Sequence, residues 1–231
     1  MKIENHKINK STNHQINQSI NHQIKIAMTP KIVLSIGRQF GSGGRVLGKT
    51  IAERLGMKYY DDEILSYAAR HSGINQQLIA EKDEQPVSSS FFQNINHLIA
   101  GNDSPVSDEN IFKIQSDAIR KAAVESNCVI IGRCSDYILR DYEYCMSVFY
   151  WAPIEDRIKR VSERVDNSDP DKVRLLIERS DNRRAKYYNY FTGKTWGAAS
   201  SYDACINVSL LGVEGTAEAT IELLRKRYGN I

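Results

Sequence analysis

Four glycines, Gly37, Gly41, Gly43 and Gly44, fall within one eight-residue span of the stretch SIGRQFGSGGRVLGKT, Ser35 to Thr50. A loop of this kind aims backbone N–H groups at an anion, and phosphate suits it best when a helix N-terminus follows. Glycine is required because chain and phosphate approach closely and because left-handed backbone is expected. A tight strand-to-helix turn needs fewer glycines than this. The stretch departs from the G-x-x-x-x-G-K-[ST] pattern, however. Ser42 stands five residues after Gly37 where that pattern has glycine, and Gly44 takes the place of lysine in GSGKS. Arg38 and Arg45 flank the loop, and Lys49 follows about one helical turn on. Arg45 is expected to supply the missing charge through a forked guanidinium rather than a point charge. The other reading is a loop that binds without catalysing. The expected donor-phosphate set is Gly37, Arg38, Gln39, Gly41, Ser42, Gly43, Gly44 and Arg45, with Ser42 the candidate metal ligand.

A second basic group is Arg157, Arg160 and Arg164, spaced i, i+3, i+7 and so expected on one helix face. Phosphoryl transfer needs neutralisation of negative charge and positioning more than a strong base, which an arginine cluster provides. Glu155, Asp156 and Glu163 interleave with it, so a solvated, salt-bridged face is the competing reading.

The elements that must position these residues alternate strand and helix. KIVLSI (Lys31 to Ile36) is a continuous β-branched run of the buried parallel type. VLGKTIAERLG follows with helical spacing and a stop at Gly56. MKYYDDE predicts a second strand leading into a helix over EILSYAARHSG. From Ile74 to Asn110 the pattern weakens around Pro86, SSS and GNDSP, which predicts a partly helical insert. A helix resumes over DENIFKIQSDAIRKAAVESN, followed by strands at CVIIG (Cys128 to Gly132) and MSVFYWA (Met146 to Ala152). A helix over PIEDRIKRVSERV and a long charged helix from Asp169 to Tyr188 come next. A last strand over CINVSL (Cys205 to Leu210) and a closing helix over TAEATIELLRKRY complete the chain. Such alternation predicts an α/β fold with a doubly wound parallel sheet. YYNYFTGKTWG (Tyr187 to Gly197) is rich in aromatics, suited to stacking on a base or to packing of a lid or dimer contact.

The first 27 residues read differently. NHKINKST, NHQINQSI and NHQIKIAM repeat with a period of eight from Asn5, polar throughout and without a hydrophobic face. That composition predicts a disordered tail, with Met28 as the expected native start of a domain over 28–231. Lys2, Lys7, Lys10 and Lys25 against Glu4 account for the whole net charge of +3. The remainder is neutral, so neither a nucleic-acid surface nor an anionic-membrane surface is expected. No apolar run approaches the ~18 residues of a membrane span, and no leader is evident, so the expected location is cytoplasmic. Cys128, Cys134, Cys145 and Cys205 include no C-x-x-C pair and read as reduced thiols.

In combination, SIGRQFGSGGRVLGKTIAERLGMKYYDDEIL, VIIGRCSDYIL, IEDRIKRVSER, RRAKYYNYFTGKTWG and YDACINVSLLG closely resemble cytidylate kinase-like proteins, P-loop relatives of cytidylate kinase. The resemblance covers nearly everything from Lys31 onward. It implies a P-loop NTPase-type three-layer fold with an acceptor-side insert at 74–110 and a lid region at 155–197. It also implies transfer of the γ-phosphoryl group of ATP, with Mg2+, to CMP or dCMP. Asp61 of YYD matches the aspartate after the second strand, near the acceptor. Gly132-Arg133 matches the family's GR, whose arginine reaches the acceptor phosphate; Cys134 follows where cytidylate kinases usually have aspartate. Arg157, Arg160 and Arg164 match the start of the lid, and Asp181 with Arg184 its return helix.

The expected enzyme is thus a nucleoside monophosphate kinase. Its catalytic group would be Arg45, Arg157, Arg160 and Arg184, and its acceptor group Asp61, Arg133, Asp181 and Arg184. Its partners would be nucleotides, and it would act as a monomer or homodimer. The alternatives are a kinase for another small acceptor and a catalytically silent nucleotide-binding regulator.

Overall fold

The computed structural model describes residues 30–61, 108–164, 169–229 and 231. The repeat tail, the helix expected over EILSYAARHSG, and the insert 74–110 apart from its last three residues lie outside the described residues.

Strand β1 (Val33–Arg38) is fully buried over its first four residues and lies at the middle of a five-stranded sheet. The others are β2 (Lys58–Tyr60), β3 (Cys128–Ile131), β4 (Cys145–Trp151) and β5 (Ala204–Asn207), in the spatial order β2-β3-β1-β4-β5. Every neighbouring pair is parallel, and Val33 stands opposite both Cys128 and Cys145. A parallel sheet must be covered on both faces, so its central strands carry apolar residues on both.

On one face Leu34, Ile36, Val129, Ile131, Val148 and Tyr150 form a single core with Leu47 and Ile51 of α1 (Gly44–Leu55). Ala217, Ile221 and Leu224 of the last helix complete that layer. On the other face Val33, Cys128 and Ile130 pack with Ile119 and Ala122 of α2 (Asp108–Glu125). Ile138 of the short α3 (Ser135–Ile138) and Tyr188 of α5 (Pro170–Thr192) belong to the same cluster. Ser35, which faces that layer from β1, satisfies its buried hydroxyl against Ser135 at 2.6 Å. A third, smaller core joins Ile158 and Val161 of α4 (Ile154–Ser162) to Val173 and Ile177 of α5. Ile32–Ile231 make up one compact unit with the layered, doubly wound arrangement of a P-loop NTPase-type fold.

Three boundaries differ from expectation. β5 ends at Asn207, and Val208–Tyr228 form helix α6, so Val208–Leu210 are helical rather than extended. Asn207 is the reason: its side chain accepts the Ser209 N–H and caps the helix. Arg164 lies past the end of α4 and is exposed, so only Arg157 and Arg160 of the expected trio share that helix. α5 runs on through Thr192, taking in much of the aromatic stretch, whose rings pack on the protein itself. Phe191 stacks on Phe112 at 4.3 Å, and Trp196 meets Phe149 edge-on at 5.2 Å. Among the described residues no helix is long and apolar enough to cross a membrane.

Candidate active site

The glycine loop leaves the carboxyl end of the central strand, where ligands sit in open α/β sheets. Its start is stitched to β4: Gln39 N–H donates to the Tyr150 carbonyl at 3.0 Å, and its side-chain oxygen accepts from the Ala152 N–H at 3.2 Å. Gly43 then turns the chain at φ +94° and begins α1, the Leu47 N–H reaching its carbonyl at 3.0 Å. No side chain caps α1 and its first turn holds no acid, so its leading N–H groups are left for an anion.

Two carboxylates organise the arginines around this loop. Asp181 of α5 accepts the Phe40 N–H at 2.7 Å through one oxygen and pairs with Arg157 Nη1 at 2.5 Å through the other. Arg157, only 8% exposed, also donates to the Phe40 carbonyl at 3.3 Å. Arg160 donates to the Ser42 carbonyl at 3.2 Å and to the Ser209 hydroxyl at 3.1 Å. These two arginines of α4 hold the outer wall of the loop, rather than forming a solvated helix face. On the opposite side Asp61, at the end of β2, pairs with Arg45 Nε and lies 3.6 Å from Arg38 Nη2. The Tyr59 hydroxyl donates to Asp61 at 3.3 Å.

Arg184 lies between the two sets. Its Nη1 donates to the Arg38 carbonyl at 3.2 Å and stands 3.8 Å from Asp181, and its guanidinium covers the Phe40 ring at 5.5 Å. Burial first, then repulsion from Arg38, pushes its pKa down to about 9, although Asp181 opposes the shift. Burial and the neighbouring guanidinium groups both disfavour its charged form, which an anion beside it would favour.

Arg133 follows β3 in an unusual backbone. Gly132, Arg133 and Cys134 have φ of +71°, +59° and +55° in succession, a conformation that non-glycine residues adopt at a cost. Cys134 is buried, and burial followed by the nearby Asp136 pushes its thiol up to about 12. An aspartate there would place a second carboxylate beside Asp136, which burial already shifts upward and which accepts from the Tyr188 hydroxyl at 2.6 Å. Cysteine at 134 is consistent with that neighbour. All four cysteines are free thiols.

Among the described residues no protein-built magnesium site is formed. Ser42 is fully buried and its hydroxyl donates to the Gln39 carbonyl at 2.9 Å, and Arg45 stands where GSGKS carries its second serine. Among the described residues no group of three or more His, Cys, Asp or Glu is placed to hold a metal.

Sequence reasoning put Arg38 and Arg45 at the loop, Asp61, Arg133, Asp181 and Arg184 at the acceptor, and Arg157 and Arg160 at the start of the lid; of these, Arg38, Arg45, Asp61, Arg157, Arg160, Asp181 and Arg184 meet around the loop. It missed Phe40, Tyr59 and Ser209. Tyr59 had a signal in its position two residues before Asp61. The other two are revealed only by tertiary contact.

Comparison with known proteins agrees with this geometry. Residues 33–210 match the cytidylate kinase-like family. The cytidylate kinase of Pyrococcus horikoshii is 30% identical over 186 residues, covering 80% of this chain and 84% of that protein. The cytidylate kinase of Thermococcus kodakarensis is 26% identical over 185 residues, covering 80% and 83%. A crystal structure of an uncharacterized protein from Eubacterium ventriosum superposes with a TM-score of 0.65 at 27% identity, covering 85% of this chain and all of that one. With most of its length matched and its phosphate loop ringed by arginines, the chain belongs to the cytidylate kinase-like family.

Proposed function

We propose that this protein transfers the γ-phosphoryl group of ATP to a pyrimidine nucleoside monophosphate, CMP or dCMP. The observation that carries this reading is the convergence of positive charge on the glycine loop: Arg38, Arg45, Arg157, Arg160 and Arg184 gather beside a helix start that has no side-chain cap and no acid in its first turn. A donor triphosphate and an acceptor monophosphate bring the negative charge that balances it, and the names of the two archaeal relatives point to CMP as acceptor.

In this mechanism the N–H groups of Gly41 to Arg45 and the start of α1 bind the β- and γ-phosphates. Arg157 and Arg160 keep the loop in shape through its carbonyls, while Arg184, Arg133 and Asp61 orient the acceptor phosphate against the donor. The transferring group gains charge on its equatorial oxygens, and guanidinium groups fixed beforehand stabilise it without rearrangement. ATP enters as its Mg2+ complex, the ion being held by the nucleotide's phosphates. The lid region expected at 155–197 would exclude water when both substrates are bound.

The test is ADP release from the full chain with ATP and Mg2+ against CMP, dCMP, UMP, AMP, GMP and no acceptor. Selective release with CMP or dCMP supports the proposal. Release with none of them, from protein that still binds ATP calorimetrically, contradicts it and favours a silent nucleotide-binding module.

A further inference from the structure

Gly44 stands where a P-loop lysine would project, and the absence of a side chain there has a local cause. A Cβ at Gly44 would lie 2.7 Å from Arg38 Cβ and 3.2 Å from Arg38 Cγ. A lysine at 44 and an arginine at 38 therefore exclude each other. The far end of the Arg38 side chain lies against Gly132, where a Cβ would meet Nη1 at 2.1 Å. Its other terminal nitrogen approaches Asp61 at 3.6 Å. Two glycines from separate elements thus leave room for one side chain, held between the start of α1 and the end of β3. The Arg38 side chain is 18% exposed, whereas Arg45 projects from the second residue of α1 with 59% of its side chain in solvent.

We propose that Arg38, not Arg45, is the cation that stands in for the P-loop lysine, and that Gly44 and Gly132 lack side chains because Arg38 passes over both. The charge then arrives from the last residue of the central strand instead of from the helix that follows. Its backbone is fixed by the β1–β4 pairing and by the Arg184 bond to its carbonyl. A planar fork in this place can contact two phosphate oxygens, which a lysine ammonium does as a point charge only. This inference rests on the donor-phosphate reading above and deepens it.

Moving the charge tests it. In the full chain, Arg38→Gly is expected to lower kcat about a hundredfold or more, the size of a lost preorganised donor, with the acceptor KM nearly unchanged. Arg38→Gly with Gly44→Lys frees the space at 44 and returns a cation to the loop, and is expected to recover about tenfold of that loss. A purely structural Arg38 would not be rescued by a lysine on another element. Arg45→Met is expected to cost about tenfold less than Arg38→Gly. If Arg38→Gly melts early, Arg38→Met, which keeps the stem and removes the charge, carries the comparison with Arg45→Met, though not the rescue at 44. A loss at Arg45 equal to that at Arg38, or a folded double variant without recovery, overturns the assignment while leaving the kinase reading intact. Wild-type protein that binds no ATP by calorimetry overturns both.

Discussion

The two carboxylates beside the loop face the same kind of partner and have different consequences. On the α4–α5 side, Asp181 and Arg157 are tied into the backbone of the loop: the carboxylate holds the Phe40 N–H and the guanidinium the Phe40 carbonyl. On the β2 side, Asp61 meets, among the described residues, the side chains of Arg38, Arg45 and Tyr59, and Arg45 is largely solvated. The first arrangement fixes the shape of the loop. The second is a set of charges that an incoming phosphate can rearrange without moving the main chain. Substitutions on the α4–α5 side should therefore register mostly in stability, and those on the β2 side mostly in turnover.

The largest effect is expected from Asp181→Ala. It strands the buried Arg157 and frees the Phe40 N–H, a loss of about 3–5 kcal/mol by the usual cost of breaking a buried pair. Urea denaturation measures it, and a loss below about 1 kcal/mol would erase the distinction between the two sides. Asp61→Asn is next. It should lower turnover by about a hundredfold while unfolding shifts less than in Asp181→Ala, because asparagine keeps the buried position filled and polar, read from kinetics and denaturation on one preparation. Gly132→Ala places a methyl group against the Arg38 guanidinium at a φ of +71°, and should cost about 1–3 kcal/mol as well as activity.

The pH profile separates the two sides by sign. Arg184 holds its proton below about pH 9 in both the folded and unfolded chain. As pH rises through about 9 the folded chain releases it first, so kcat/KM should fall. Over the same range the contribution of Arg184 to stability rises, because the unfolded chain then binds more protons. A kcat/KM flat to pH 10 would show that Arg184 keeps its proton over that range. The smallest effect is expected from Arg54→Ala, which loses exposed pairings with Glu214 and Glu218 far from the loop. Both melting and activity should stay within about 1 kcal/mol of wild type.

Much of this arrangement is legible in the sequence, for physical reasons. KIVLSI and CVIIG announce themselves as buried parallel strands because a sheet covered on both faces permits no polar alternation. Gly56 closes α1 as its position suggests, at φ +62°. CINVSL was harder to read, since an apolar run does not separate a strand from the first turn of a helix. The deciding residue, Asn207, acts through a single cap bond. The arginines could be named, but not their partners, because Phe40 and Asp181 meet across 141 residues. The missing lysine was plain in GSGGR. That the Arg38 stem occupies its space depends on how closely β1 and α1 approach, which spacing along the chain does not encode.

The most direct test of phosphoryl transfer follows the phosphorus itself. Full-length protein, Mg2+, CMP and ATP labelled at the γ-phosphate should yield labelled CDP and unlabelled ADP, resolved by chromatography. Label that stays in ATP or appears as inorganic phosphate, with CMP unchanged, would contradict the account.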